Sequence, residues 1–196
     1  MDGYQRRKQR KNESIKRAAL ELFAVYGVKK TSVAEIAKRA GANPVTVYNH
    51  FADKTALARE IVRDIMADEW KRYKEILSGG RPFQETLGLI VAAKTKPTDS
   101  VERTFLTRVL SEDAGAAEMV GAVFEKEINP AIVKFIKSGQ KAGDVRDDLS
   151  VDSIRLYIDM FTDLSRTHPE VLSDQPRAAK TAREVWSLFL YGLLGR

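Results

Sequence analysis

Residues 31–54 limit what this chain can fold into more than any other stretch, because helix start and stop signals follow one another closely there. Ser32 followed by Glu35 is a capping box, in which the hydroxyl and the carboxylate each bond a backbone amide of a first helical turn. Apolar residues then recur at helical spacing as far as Gly41, where the chain can turn through a left-handed conformation at little cost. The pattern predicts a short helix that begins near Ser32 and ends at this glycine.

A second short helix is predicted to start at Asn43 and Pro44. The Asn side chain can cap the first turn, and Pro fits the first helical position without losing a hydrogen bond. Val47 and Phe51, four residues apart, form the edge that we expect to be buried. The exposed residues offer hydrogen-bonding groups and methyl groups but no carboxylate: Val45, Thr46, Tyr48, Asn49 and His50. Such a face suits a DNA major groove, where side chains read base edges or hold phosphates.

A family resemblance becomes specific over residues 14–57. The pattern T-S-V-A-E-I-A-K-R-A-G-x-N-x-x-T-V-Y-N-H-F-x-x-K-x-x-L, preceded by A-A-L-E-L-F-x-x-x-G, resembles the helix-turn-helix signature of the TetR-type (tetracycline-repressor-like) transcriptional regulators. Two departures stand out. Asn43 and Pro44 replace the Ser or Thr and variable residue common in that family, and Val45 stands where Gly is frequent. Because these positions help to set base preference, the operator sequence cannot be carried over from a relative.

Helical periodicity occurs along the whole chain and strand-like alternation does not, so the sequence predicts an all-α fold of about nine helices. The resemblance implies a three-helix DNA-binding domain with a basic N-terminal arm, residues 1–53. It also implies a larger helical regulatory and dimerisation domain, residues 54–196. Residues 1–11 are too polar to bury and are expected to form a mobile arm, with the first helix starting near residue 11 or 12.

The remaining helices are expected at about 54–78, 82–94, 100–110, 114–142, 150–166 and 176–194. Pro130 falls in the middle of the fourth of these segments. A proline there removes one backbone hydrogen bond and crowds the preceding turn, so we expect a kink or a break near Asn129.

Charge is distributed unevenly along the chain. Residues 1–54 carry twelve Lys or Arg and five Asp or Glu, a net charge of +7, whereas the formal net charge of the whole chain is +6. The basic excess therefore belongs entirely to the N-terminal quarter. Phosphate binding requires such an excess, because counterion release supplies affinity for DNA independent of sequence.

The last two predicted helices are apolar on more than one side. Ile154 and Ile158 lie on one face of the first, and Leu156 and Met160 lie on another. A helix of this kind must be covered on more than one side, and in a small monomer a second subunit is the natural cover. The resemblance implies the same arrangement, a homodimer formed through the two C-terminal helices.

Several kinds of chemistry are excluded or lack support. The chain has no Cys and only two His, so thiolate sites are absent and a histidine metal pair is not expected. No phosphate loop, nucleophile elbow or zinc-protease motif occurs, so we predict neither catalytic residues nor a cofactor. No apolar run approaches the length of a membrane span. We predict a cytoplasmic protein that is not an enzyme.

The predicted DNA contacts divide into two groups. Base contacts are assigned to Val45, Thr46 and Asn49. Phosphate contacts are assigned to Thr31, Ser32, Tyr48, His50 and Lys54, the last through the resemblance. Two copies of the motif would occupy successive major grooves of a roughly palindromic double-stranded operator.

The resemblance also implies a small-molecule effector held within the larger domain, and we predict a repressor that a mostly apolar effector releases from DNA. Candidate lining residues are Met66, Trp70, Tyr73, Phe83, Phe105, Met119, Phe124 and Met160, with Arg108, Asp159 or Asp163 as polar anchors. Ordinary core packing is the alternative for each, since pockets and cores use the same residue types. The alternative for the whole chain is a regulator or structural factor controlled by a protein partner, without an effector.

Overall fold

The computed structural model describes residues 3–95, 100–167 and 176–194, which form α-helices without any strand. The helices are α1 (Gly3–Tyr26), α2 (Val33–Arg39), α3 (Pro44–His50), α4 (Lys54–Ser78), α5 (Phe83–Thr95), α6 (Ser100–Glu112), α7 (Ala114–Val123), α8 (Asn129–Ala142), α9 (Val151–Thr167) and α10 (Pro176–Leu194). A π-helical turn joins α7 to α8 without a break, so the described residues form nine continuous helices. The prediction of an all-α fold with about nine helices is confirmed.

Helix α1 is longer than the sequence pattern predicted. It begins at Gly3, so the expectation of a non-helical arm over the first eleven residues is wrong for the part that the structure describes. Residues 5–10 bury nothing, and their side chains are all exposed. They are nevertheless Gln, Arg and Lys, straight-chain residues that lose little rotamer freedom in a helix. The basic residues of this segment therefore stand on the first turns of α1.

Two compact units make up the chain, and each is built from two segments. Unit 1 comprises Met1–Trp70 and Pro97–Val123, and unit 2 comprises Lys71–Lys96 and Phe124–Arg196. The domain boundary predicted after residue 53 stays a prediction, because a compact unit of helices is not the same as a domain. The helices that contain the DNA-reading motif nevertheless share one unit with α6 and α7.

The core of unit 1 lies beneath the predicted helix-turn-helix motif. Phe23 of α1 and Phe105 of α6 are both fully buried, and their rings stack with centroids 6.3 Å apart. The same apolar cluster includes Ile15, Ala19, Ile36, Ala37, Val47, Phe51, Leu57, Ile61, Val62 and Val109. Burial of this apolar surface is the main favourable contribution to folding the unit.

The core of unit 2 joins α5, α8, α9 and α10. Phe83 of α5 stacks on Phe135 of α8 with ring centroids 4.5 Å apart. Gly139 permits this close approach, since a Cβ atom at that position would lie 2.6 Å from two ring carbons of Phe83. On the other pair of helices, Tyr157 and Phe161 of α9 pack on Phe189 of α10.

The irregularity expected near Asn129 takes the form of a π-helical turn, Phe124–Ile128, and the helix continues beyond it. Pro130 has no N–H to donate to the carbonyl four residues earlier, and its ring would crowd that carbonyl in a regular helix. A π turn is wider than an α-helical turn and is one of the ways in which a helix absorbs such a disturbance. The proline therefore distorts the helix and does not end it.

An ion pair connects α4 to the corner between α6 and α7 within unit 1. The Arg59 Nε and Nη2 atoms each lie 2.7 Å from a carboxylate oxygen of Asp113. Asp113 Oδ1 also accepts hydrogen bonds from the Gly115 and Ala116 amides, at 3.0 and 3.3 Å, and so caps α7. The hydrogen bond from Arg59 is the largest cause that holds the pKa of Asp113 below its ordinary value.

We expect the Asp113→Asn variant to unfold at a lower urea concentration than the wild type at pH 7. A carboxyl group with a lowered folded-state pKa stabilises the fold above its unfolded pKa of about 3.9, and this contribution is lost as the pH falls through the folded pKa. The difference between the two proteins should therefore shrink as the pH falls below about 4. Urea titrations at several pH values measure the difference in stability between the two proteins. A difference that is independent of pH would contradict a stabilising role for the charged form of Asp113.

Candidate nucleic-acid interface

Helix α2 begins as its sequence predicts. The Ser32 hydroxyl oxygen accepts a hydrogen bond from the Glu35 amide at 3.2 Å, and the Glu35 carboxylate accepts one from the Ser32 amide at 2.7 Å. The capping box is therefore confirmed in both directions. The hydrogen bonds from Ser32, first that of its side chain and then that of its backbone, lower the pKa of Glu35.

The turn and the start of α3 also agree with prediction. Gly41 adopts a positive φ of 58°, the conformation that favours glycine. Asn43 is the N-cap of α3, and its side-chain oxygen accepts a hydrogen bond from the Val45 amide at 2.9 Å. Pro44 occupies the first helical position. Asn43 and Pro44 therefore build the helix that would read the DNA.

The two faces of α3 have opposite surroundings. Val47 and Phe51 are buried in the core of unit 1, as predicted. Val45 and Tyr48 are 64% and 57% exposed, and Asn49 is exposed as well. Thr46 and His50, the other two predicted DNA contacts on this helix, are partly buried. The helix thus presents an exposed face on which methyl, phenol and amide groups stand side by side.

Helix α1 holds the turn before α3 through two long-range hydrogen bonds that the sequence pattern did not reveal. Lys11 Nζ donates to the Gly41 carbonyl at 2.9 Å, and Ser14 Oγ donates to the Ala40 carbonyl at 3.0 Å. Both carbonyls lie at the end of α2, where no intrahelical amide remains to pair with them. The partners are 26 and 30 residues apart in the chain, so no local spacing signals either contact.

Lys54 and Thr31, both predicted phosphate contacts, bond to the backbone of the loop between α1 and α2. Lys54 Nζ donates to the Thr31 carbonyl at 2.6 Å and to the Lys29 carbonyl at 3.1 Å. The Thr31 hydroxyl donates to the Gly27 carbonyl at 2.8 Å, and this residue is only 2% exposed. The Thr31 side chain therefore stabilises the loop. The ammonium group of Lys54 has three N–H donors, and these two hydrogen bonds use two of them. Ser32, the remaining phosphate candidate, is exposed at the start of α2.

The stretch of sequence that contains α3 has no carboxylate residue. Residues 36–52 contain no Asp or Glu, while Lys38 and Arg39 precede the turn. The exposed Arg and Lys residues of the first turns of α1 add to the positive charge of unit 1. Arg39 donates to the Glu21 carboxylate of α1 at 2.6 Å, so part of its charge is balanced within the protein. The net charge of +7 over residues 1–54 nevertheless favours the approach of a polyanion.

The eight predicted effector residues do not gather in one unit. Unit 1 contains Met66, Trp70, Phe105 and Met119, and unit 2 contains Tyr73, Phe83, Phe124 and Met160. Phe105 is fully buried in its stack with Phe23, so it fills the core of unit 1. Met160 is 61% exposed on the surface of α9.

The other six candidates differ in their burial. Phe83 is buried in the core of unit 2, and Met119 packs against the core of unit 1. Met66 packs against the unit 1 core, and Trp70 is buried in the same helix. Tyr73 is partly buried, and Phe124 is 45% exposed in the π turn. Among the predicted polar anchors, Arg108 donates to the Val25 carbonyl at 3.1 Å.

Across the described parts of the chain, His, Cys, Asp and Glu side chains nowhere gather in threes that could hold a metal ion. Within the same ranges, each helix is either too short or too polar to cross a membrane.

Comparison with known proteins identifies the motif. Residues 15–61 match the profile of bacterial regulatory proteins of the tetR family. The chain is 28% identical over 156 residues to the HTH-type transcriptional repressor KstR2 of Mycolicibacterium smegmatis, covering 76% of this chain and 74% of the relative. It is 28% identical over 193 residues to KstR2 of Mycobacterium tuberculosis, covering 95% and 92%.

A solved structure has the same fold. FadR from Bacillus subtilis, determined in complex with stearoyl-CoA, superposes with a TM-score of 0.70 at 19% identity and covers 92% of this chain and 98% of its own. The likeness covers 92% of this chain, so it concerns the fold of the C-terminal helices as well as that of the motif. Residues 15–61 thus match the DNA-binding motif of the tetR family, and most of the chain is similar to transcriptional repressors, so these likenesses support a DNA-binding regulator of transcription.

Proposed function

We propose that the protein is a homodimeric repressor that binds a roughly palindromic operator and leaves it when a small, mostly apolar effector binds. The observation that carries DNA reading is the exposed face of α3, with Val45, Tyr48 and Asn49 held outward because Val47 and Phe51 are buried beneath them. Repression is proposed because both KstR2 relatives are named repressors.

The proposed contacts with DNA follow from this face. Two copies of α3 would lie in successive major grooves about one helical turn apart. Val45, Thr46 and Asn49 would contact bases, and Ser32, Tyr48, His50 and Lys54 would contact phosphates. Thr31 is left out of this set because its hydroxyl is buried and bonded to Gly27.

A second copy of the chain is the proposed cover for α9 and α10. Each helix buries one side in the unit 2 core and exposes an apolar pair on another side. We call these four residues the α9–α10 strip; they are Leu156, Met160, Leu188 and Tyr191, each between 61% and 70% exposed. Large apolar side chains that are exposed in groups are typical of interaction sites. A homodimer would also supply the two copies of α3 that a palindrome requires.

The effector proposal is supported by the FadR structure, whose ligand, stearoyl-CoA, carries a long apolar chain. We propose an effector of similar chemistry for this protein. Within unit 1, Met66, Trp70 and Met119 remain the candidates for lining its site, because Phe105 fills the core of that unit.

We expect the Asn49→Ala variant to lose discrimination between DNA sequences and the Lys54→Ala variant to lose affinity for all of them. An Asn amide that bonds an adenine contributes about 1–3 kcal/mol of discrimination, so Asn49→Ala should narrow the gap between operator and altered duplexes. Lys54→Ala should lose one phosphate contact. It should therefore weaken binding to all duplexes alike and reduce the magnitude of the slope of log affinity against log salt concentration by about 0.9. Fluorescence anisotropy titrations at several salt concentrations measure both quantities.

Lys134→Ala provides the control for charge, since this exposed lysine lies on α8 in unit 2 and should leave both quantities unchanged. If Lys54→Ala lowered affinity while the salt slope stayed constant, Lys54 would act only by holding the loop carbonyls of Lys29 and Thr31.

We expect the Leu188→Glu variant to be monomeric. The substitution places a charge on the most exposed residue of the α9–α10 strip, where a dimer would have to desolvate it. Light scattering after size exclusion should give about twice the 22.0 kDa chain mass for the wild type and the mass of one chain for the variant. Val25→Glu is the matched control, because Val25 is 63% exposed on α1 of unit 1 and lies outside the strip. A dimeric Leu188→Glu protein would move the interface elsewhere.

We expect long-chain acyl-CoA thioesters or free fatty acids to raise the melting temperature and to weaken operator binding. A ligand that binds only the folded state stabilises it by about 2.7 kcal/mol at one hundred times its dissociation constant. Thermal-shift screening followed by anisotropy with operator DNA tests both effects. If none of a broad set of apolar compounds changed operator binding, control by a protein partner would become the better reading.

A further inference from the structure

The exposed face of α3 that we propose to read bases begins with an apolar side chain. This residue, Val45, is 64% exposed, whereas Val47 lies on the buried side of the same helix. Tyr48 and Asn49 follow at three and four residues along the helix, so all three share one face. The side chain of valine has no hydrogen-bonding group, so it can contact a partner only through its apolar methyl groups.

The main chain around Val45 offers a partner nothing further. The Val45 amide donates to the Asn43 side chain at 2.9 Å, and the Thr46 and Val47 amides donate to the Asn43 carbonyl at 2.9 and 3.3 Å. Pro44 has no amide hydrogen. The amides of Val45, Thr46 and Val47 are therefore all engaged within the protein, and the contact proposed for Val45 is made by its side chain.

Duplex DNA is the partner that this surface fits. No carboxylate occurs between residues 36 and 52, and the net charge of +7 over residues 1–54 favours a polyanion. Among the base edges exposed in the major groove, thymine alone presents a methyl group, whereas the O, N and amino groups of the other edges are hydrogen-bond donors or acceptors. A buried contact between valine and any of those polar groups would leave the group without a partner.

We propose that Val45 reads the C5 methyl group of a thymine in each operator half-site. The inference rests on the proposed DNA-reading role of α3 and adds the chemical group that is recognised. Asn49 stands one helical turn from Val45, about 6 Å along the helix, and an Asn amide pairs best with adenine. The thymine read by Val45 therefore lies within about two base pairs of the base pair that Asn49 contacts.

The test uses the full-length protein and a duplex selected from a random library by binding. Each thymine of one half-site is replaced in turn by deoxyuridine, which lacks only the C5 methyl group. At one position, the wild type should lose about fourfold in affinity, the loss expected for one buried methyl group. Val45→Ala should bind the thymine and deoxyuridine duplexes equally well at that position.

Two further variants separate a methyl contact from other effects. Val25→Ala shortens a valine of matching exposure, 63%, on α1, and it should keep the full preference for thymine. Val45→Thr keeps the volume of the side chain but replaces a methyl group by a hydroxyl, and it should lose part of the preference. Circular dichroism melts identify any variant that is not folded.

The outcomes distinguish the inference from the function on which it rests. If no duplex is enriched in the selection, the proposed operator binding fails. If a duplex is enriched but no deoxyuridine substitution changes affinity, DNA binding stands and the methyl contact is wrong. If the same fourfold loss persists in Val45→Ala, a different side chain reads the methyl group.

Discussion

The burial of Val47 and Phe51 in the core of unit 1 is the constraint on which the presentation of α3 depends. The helix is only seven residues long, too short to be stable in water without tertiary packing. Packing one face against the core fixes the direction of the other, so Val45, Tyr48 and Asn49 point away from the protein. The face that we propose to read DNA is thus determined by which side chains the core buries.

Polar contacts complete what apolar packing begins. Lys11, Ser14 and Lys54 each donate to carbonyls of the loop or of the end of α2, which lack partners within their own helices. These contacts hold both ends of α2 against α1 and α4. The ammonium group of Lys54 would therefore already be held in position by the loop when it contacted a phosphate.

Apolar residues that the sequence assigns to one site can lie in very different surroundings. Met160 and Phe105 were both candidates for an effector site, since apolar residues line pockets and cores alike. Phe105 lies in a ring stack at the centre of unit 1, and Met160 lies on the exposed α9–α10 strip. Periodicity revealed that α9 and α10 were apolar on several sides, but it could not show which side a neighbouring helix would cover.

Sequence alone determined the local structure of the motif. The capping box at Ser32, the glycine turn at Gly41 and the start of α3 at Asn43 involve residues within a few positions of one another, so their physics is contained in a short stretch of chain. Only the tertiary structure decided that Thr31 is buried and that Lys54 bonds to the loop. Lys54 lies 23 residues from Thr31 in the chain, and the burial of Thr31, unlike its hydrogen bond to Gly27 four residues away, depends on the elements packed around the loop.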